Sequence, residues 1–297
     1  MKKILVTGAG GLVGNEVFNK ISQDNENIVY ASWNRTPIGN EPRSIQIDLE
    51  QNSINNLNMN FDIVIHCAAA IPSVNNEDQW VGEVNRRMDD NIIHYCKDRK
   101  CVLIYISSTG LYGLSNRGWI TESTKLDLQS NYSIQKRVSE EKIIDGCKDY
   151  FILRISSPYG IRMRQNNVLN RFINEAKRGN DLIYYGKGSR TQNFTCVSDI
   201  ASACQSCLNS KENGIYNIAS AEAVSMKNLA MLIVKHSNHI FKQKIYAKSN
   251  GNDDLQEEVR NNIDISLAKK KLRWKPEVNI EEGVQELLSA YTNMENN

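Results

Sequence analysis

The chain has 297 residues, 40% hydrophobic and 24% charged, enough for one large or two modest domains around a buried core. A net charge of +2 leaves no global electrostatic case for nucleic acid, and no apolar run approaches the length that spans a bilayer. Seven scattered cysteines with no export signal read as reduced thiols of a cytoplasmic protein, not as a disulfide framework. The first eleven residues start basic, but Thr7 and the glycines cut their apolar run short, so they read as a buried strand. Apolar runs at 2–8, 28–33, 44–48, 61–69, 102–108 and 150–156 predict strands. Between them, 12–22, 79–98 and 132–147 carry helical patterns. Strand and helix in alternation predict an α/β fold: a Rossmann-like, doubly wound parallel sheet covered on both faces.

Beyond residue 160 the rhythm changes. Helical 167–179, a short strand at 182–186 and helical 225–237 predict a smaller α+β substrate domain. The expected division is 1–160 plus about 190–215 for the first domain, and 161–189 with 216–297 for the second. Polar, turn-rich 35–43 and 248–258 read as exposed loops.

The first strand, turn and helix carry Gly8, Gly11 and Gly14, spaced G-x-x-G-x-x-G. Such a turn lets backbone approach a pyrophosphate, which the free N–H groups of the helix N-terminus then hold, with Leu12 and Val13 in the first turn. An acid at the end of the second strand would bind the adenine ribose hydroxyls. Here Ser32, Trp33, Asn34 and Arg35 stand instead, and Arg35 suits a 2′-phosphate. That favours NADP, with NAD as the alternative.

Tyr132 and Lys136 lie four apart and share a helix face. An ammonium beside a phenol favours the phenolate and is expected to lower its pKa from near 10 toward the working range of an acid–base group. Ser107 and Ser108 end the fifth strand, at the carboxyl edge where parallel sheets bind ligands. The four histidines show no metal spacing, and Cys204-x-x-Cys207 has no second pair, so no metal is expected.

With "TGAGGLVG", "VIHCAAA", "ISSTGLYG", "YSIQK", "LRISSPYG" and "NFTCVSDIA" in this order, the chain resembles the extended short-chain dehydrogenase/reductases, the NAD(P)-dependent epimerase/dehydratase group acting on nucleotide sugars. The resemblance implies Tyr132 as general acid/base, Lys136 as its tuner and ligand of the nicotinamide ribose, and Ser108 as the catalytic hydroxyl. It implies Asp48 and Leu49 at the adenine, Ala68, Ala69 and Ala70 along the cofactor, and Asn85 opening the helix after them. Ser156 is expected beside the nicotinamide, with Thr109, Ser157, Arg190 and Arg260 toward the substrate; the arginine expected two places before Phe194 is replaced by Gln192. Thr109-Gly110 stands where dehydratases of the group carry an Asp-Glu pair, and Gly110 where fucose-forming members carry cysteine. The expected reaction is NADPH-dependent reduction of the C4 keto group of a nucleotide-diphosphate 4-keto-6-deoxyhexose. The alternative is an NAD-dependent nucleotide-sugar 4-epimerase. A homodimer through the helices near 80–98 and 131–147 is implied by resemblance only.

Overall fold

Seven parallel strands build the central sheet: β1 (Lys2–Thr7), β2 (Asn27–Trp33), β3 (Ser44–Gln46), β4 (Ile63–His66), β5 (Val102–Ser108), β6 (Tyr150–Ile155) and β7 (Gly214–Ile218), in the order β7-β6-β5-β4-β1-β2-β3. The computed structural model describes residues 1–39, 41–72, 78–116, 118–163 and 167–295. Side chains alternate between two cores, as the two-residue period of a strand requires. Ile4 and Val6 of β1, Ile63 and Ile65 of β4, and Ile104 and Ile106 of β5 face one core. There they meet Val17, Phe18 and Ile21 of α1 (Leu12–Ser22) and Ile200, Ala203 and Cys204 of α5 (Val197–Leu208). Leu5, Val64, Leu103 and Tyr105 face the other way, against Ile92, Ile93, Tyr95 and Cys96 of α2 (Asp78–Arg99) and Ile143 of α3 (Asn131–Gly146). Burial on both faces is why these strands read as unbroken apolar runs.

A third core joins α4 (Val168–Lys177), α6 (Met226–Ile240) and α8 (Ile280–Glu295) through Phe172, Ile173, Leu229, Ile233, Val284 and Leu288. The expected boundary differs from the packing in two places. Residues 216–218 belong to β7 of the main sheet. The segment after 261 also returns there: Asn262–Ile263 pairs with Trp119–Ile120, and Ile265, Ala268 of α7 (Ser266–Lys271), Leu272 and Trp274 enter the core beside α5. These residues pack so because Trp274 donates its indole N–H to Asp199 O and Ser202 Oγ on α5. Among the described residues no helix is long and apolar enough to cross a membrane.

The strand order reverses beside β1, and the crevice at the carboxyl ends of β1 and β4 is the binding position such sheets offer.

Candidate active site

The glycine loop is shaped by contact. Gly8 has φ +67, and a Cβ there would stand 2.7 Å from the Ala68 backbone. A Cβ on Gly14 would stand 2.2 Å from Gly8 O, so only glycine lets α1 start this close to β1. Gly11 caps α1 with no side-chain hydrogen bond, leaving the first N–H groups of the helix to a ligand. Val13 packs against the core shared by α1 and α5, and Leu12 against the core of α4, α6 and α8. Gly10, which sequence reasoning passed over, lies under the loop after β2: a Cβ there would meet Thr36 O at 1.9 Å.

A cavity of about 250 Å³ opens from this loop. Its walls include Asn34, Arg35, Asp48, Leu49, Ala68, Ala69 and Ala70, the residues expected along a dinucleotide. Trp80 and Met88 of α2 close it, which the sequence did not signal. Arg35 is exposed, and Asp48 accepts from Glu50 N at 3.0 Å. Asn85 holds the cavity wall: its carboxamide donates to Ala70 O at 2.9 Å and accepts from Ala70 N at 2.7 Å. It does so from two turns inside α2, which opens at Asp78, so the expectation that Asn85 opens the helix is corrected. A glycine cradle, an uncapped helix start and a cavity walled by β2, β4 and α2 fit an adenine dinucleotide.

Tyr132 sits in the first turn of α3, and two devices aim it. Ser130 and Ser133 form a reciprocal capping box. Asp78 accepts from Asn131 N at 2.7 Å and from Tyr132 N at 3.4 Å, a carboxylate at a helix N-terminus where it is favoured. The Tyr132 hydroxyl lies near Ser108, at the carboxyl end of β5, whose hydroxyl works to lower the phenol's pKa. Ser108 Oγ also accepts from Gly110 N at 3.0 Å, and a side chain on Gly110 would press on that oxygen. Ser107, its neighbour, is instead turned inward and donates to Glu140.

Lys136 is buried, donates to Ile106 O at 3.0 Å and lies 4.3 Å from the centre of the Tyr105 ring. The expected lowering of the Tyr132 pKa by Lys136 is corrected. Burial pushes the phenol up, the charge of Asp89 pushes it further, and Ser108 pulls back only in part. Lys136 itself is pulled down by burial, against the raising effects of Asp89, Glu140 and Cys67.

Next to α4, a cavity of about 500 Å³ is lined by Arg171, Tyr185, Arg190 and residues 253–256. The loop 248–258 is therefore more than solvent-facing: Glu257 accepts from Lys187 N and Ser189 Oγ and folds it over Arg190. Arg190 donates to Gln256 Oε1 at 2.5 Å, while its Nε is buried with no hydrogen bond, as are Thr191 Oγ1 and Asn261 Oδ1. Arg260 is not aimed at this cavity; its guanidinium donates to Glu257 O and Val259 O. Ser156 is also turned away, since its hydroxyl donates to Asn193 O at 2.7 Å. Ser157 holds φ +25 and accepts from Gln192, the residue that replaces the expected arginine. Thr109 begins the single 3₁₀ turn after Ser108. Among the described residues no group of His, Cys, Asp or Glu is arranged to hold a metal, and the seven cysteines are free thiols.

The family model described as NAD dependent epimerase/dehydratase family matches residues 4–219. The chain belongs to this family. Family membership makes it an NAD(P)-dependent enzyme of the extended short-chain dehydrogenase/reductase type. Among its relatives is a putative UDP-glucose 4-epimerase of Methanocaldococcus jannaschii, 29% identical over 98% of both chains. A UDP-N-acetyl-alpha-D-glucosaminuronate decarboxylase of Bacillus cytotoxicus is 25% identical over 99% of both. The fold is that of the UDP-glucuronic acid 4-epimerase of Bacillus cereus, solved with UDP-glucuronic acid and NAD: TM-score 0.84, 24% identity, 98% of this chain and 99% of that one.

Proposed function

We propose that this family member interconverts C4 epimers of a UDP-sugar on bound NAD, by oxidation to a 4-keto sugar and return of the hydride. The observation that carries this reading is the meeting of Tyr132 with Ser108 at the carboxyl end of β5, with Lys136 buried one helical turn along α3. The relatives that act on UDP-sugars support the substrate class. They give the 4-keto-6-deoxyhexose reduction expected from the sequence no specific support, and favour the epimerase alternative.

When bound, the nicotinamide supplies hydride transfer to and from C4. Gly8, Gly11 and the first N–H groups of α1 would hold its pyrophosphate, Asp48 and Leu49 its adenine, and Lys136 its ribose hydroxyls. Tyr132, once ionised to the phenolate, would take the C4 hydroxyl proton as the ketone forms and give it back afterwards. Ser108 fixes the C4 oxygen between them. Arg190, whose Nε has no hydrogen bond and lies 4.0 Å from Asp254, would grip the nucleotide diphosphate, with Thr191 and Asn261 beside it and Ser157 nearer the sugar.

The test is to purify the protein, release and identify any bound dinucleotide, and follow UDP-glucose to UDP-galactose conversion without added reductant. Tyr132→Phe should abolish conversion and spare cofactor binding; conversion at the wild-type rate would overturn the reading. A second reading rests on Arg35, which lines the cavity where no acid ends β2. That arrangement suits NADP and hence a 4-keto reductase, which would oxidise NADPH when offered a nucleotide 4-keto-6-deoxyhexose.

The same reading assigns the main sheet with α1, α2, α3 and α5 to the cofactor and the α4, α6 and α8 core to the substrate. A homodimer through α2 and α3 is part of it, supported by exposed Ile134 and Ile144 on α3. A monomeric mass in solution would remove it. Seven free thiols suit the cytoplasm.

A further inference from the structure

Beneath Lys136 lies a closed polar cage that the reaction as outlined does not use. At its centre is Asp89 of α2, with 0% exposure. Asp89 Oδ1 pairs with His66 Nε2 at 2.9 Å, and His66 Nδ1 meets Thr7 Oγ1 at 2.7 Å. The Thr7 oxygen in turn accepts from Cys67 N and Ala68 N, which lead into the cofactor cavity. Asp89 Oδ2 accepts from the Tyr105 hydroxyl and from Gln135 Nε2. Gln135 precedes Lys136 in the chain, and the Tyr105 ring carries the Lys136 ammonium on its face.

A buried carboxylate costs several kcal/mol unless positive charge or donors compensate it. Two carboxylates raise Lys136 by their charge, Asp89 from α2 and Glu140 from its own helix, together with the Cys67 thiol after β4. Glu140 is already neutralised: Arg154 holds it at 2.6 Å and Arg137 stands 3.6 Å away. Asp89, among the described residues, makes no ion pair with arginine or lysine; His66, Tyr105 and Gln135 bond its oxygens, and Lys136 is the cation seated on the ring of its Tyr105 donor.

We propose that Asp89 is a positioning residue that keeps Lys136 charged from below the site, acting through Tyr105 and Gln135. This rests on Lys136 binding the cofactor, as in the proposed function. Burial works against the ionised form of Asp89, yet Lys136, His66 and Tyr105 together hold its carboxyl well below the usual range. Conversely, Asp89 raises Lys136 and also raises Tyr132, whose other partner is Ser108. Removing this one charge therefore moves both groups the same way, toward lower pH.

Asp89→Asn tests it, because the carboxamide keeps the shape and most hydrogen bonds while deleting the charge. NADH and NADPH are titrated by fluorescence at a series of pH values up to about 10, the unperturbed range of lysine. The pH at which affinity falls should be lower in D89N by about one unit. Asp89→Thr, also neutral, serves if D89N does not fold. Equal midpoints in variant and wild type, whatever the change in melting temperature, would overturn the proposal. Binding needs no sugar, so this failure is separate from that of the proposed reaction: an inactive Tyr132→Phe with unmoved D89N midpoints sinks only the role of Asp89.

Discussion

Arg154 of β6 meets Glu140 of α3 through two bonds, Nε to Oε1 at 2.9 Å and Nη2 to Oε2 at 2.6 Å, with both side chains at most 2% exposed. The pair ties the helix bearing Tyr132 to the sheet. Ser107 donates to the same carboxylate at 2.7 Å, and Arg154 Nη1 donates to the Tyr112 oxygen at 2.9 Å. Breaking such a pair from one side leaves a buried charge unpaired, a loss of about 3 kcal/mol or more. Glu140→Leu should lose that much in a denaturant melt. Adding Arg154→Met should cost less than the sum of the single changes, by about 2 kcal/mol, because the orphaned charge goes too. Strict additivity would show that the pair is not coupled.

Gly10 should prove as important to cofactor binding as the glycines of the spaced motif. A methyl there meets the backbone oxygen of Thr36, which cannot yield as a flexible side chain would. The loop carrying Asn34 and Arg35 must then lift off the cavity. Gly10→Ala is expected to weaken dinucleotide binding by about tenfold or more, equivalent to about 1.4 kcal/mol. Gly118→Ala, with nothing within 4 Å of its added Cβ, should bind as wild type. Equal affinity in the two variants would mean the loop does not need to sit where it does.

Arg35 separates the two cofactor readings. Exposed and lining the adenosine end of the cavity, it can meet a 2′-phosphate but has no partner of that kind in NAD. Arg35→Ala should weaken NADP binding by about tenfold, the scale of one charge-assisted hydrogen bond, and leave NAD within about twofold. A uniform loss for both would point to packing by the arginine stem, and no change would remove the second reading's support.

The fold was legible because burial on both faces forces apolar strands. The 12–22 helix and the 102–108 strand match their expected bounds, and the glycine spacing marks the first turn. β7 escaped notice: its Gly214-Ile-Tyr-Asn-Ile run is short and carries Asn217, whose side chain is spent on Tyr112, Ile120 O and Asp264 O. Of the site, the residues named by local pattern came together, Tyr132 with Ser108 and the alanines with the glycine loop. What stayed hidden depends on partners far along the chain. Asp89 meets His66 from 23 residues away and Gln135 from 46, and Asp78 reaches Asn131 across 53. The direction of the Tyr132 shift is hidden for the same reason: the period of a helix shows Lys136 nearby, but neither the burial of the phenol nor the anion from another helix.

Stability should fall on the alkaline side through the buried thiols. Burial pushes Cys147 up to about 11, and raises Cys204 and Cys207 as well. All three are at most 5% exposed. In the unfolded chain a thiol titrates near 8.5, so there it releases its proton first. A raised folded value means the stabilising contribution is intact below about pH 8 and is lost as pH rises toward the folded value. At about pH 9.5, one unit above the unfolded pKa, each thiol should contribute about 1.4 kcal/mol less than at neutrality. Urea melts at the two pH values should therefore differ by a few kcal/mol, and Cys204→Ala with Cys207→Ala should reduce that difference while lowering stability at neutral pH through the cavities they leave. The same pH dependence in wild type and the double variant would place its origin elsewhere.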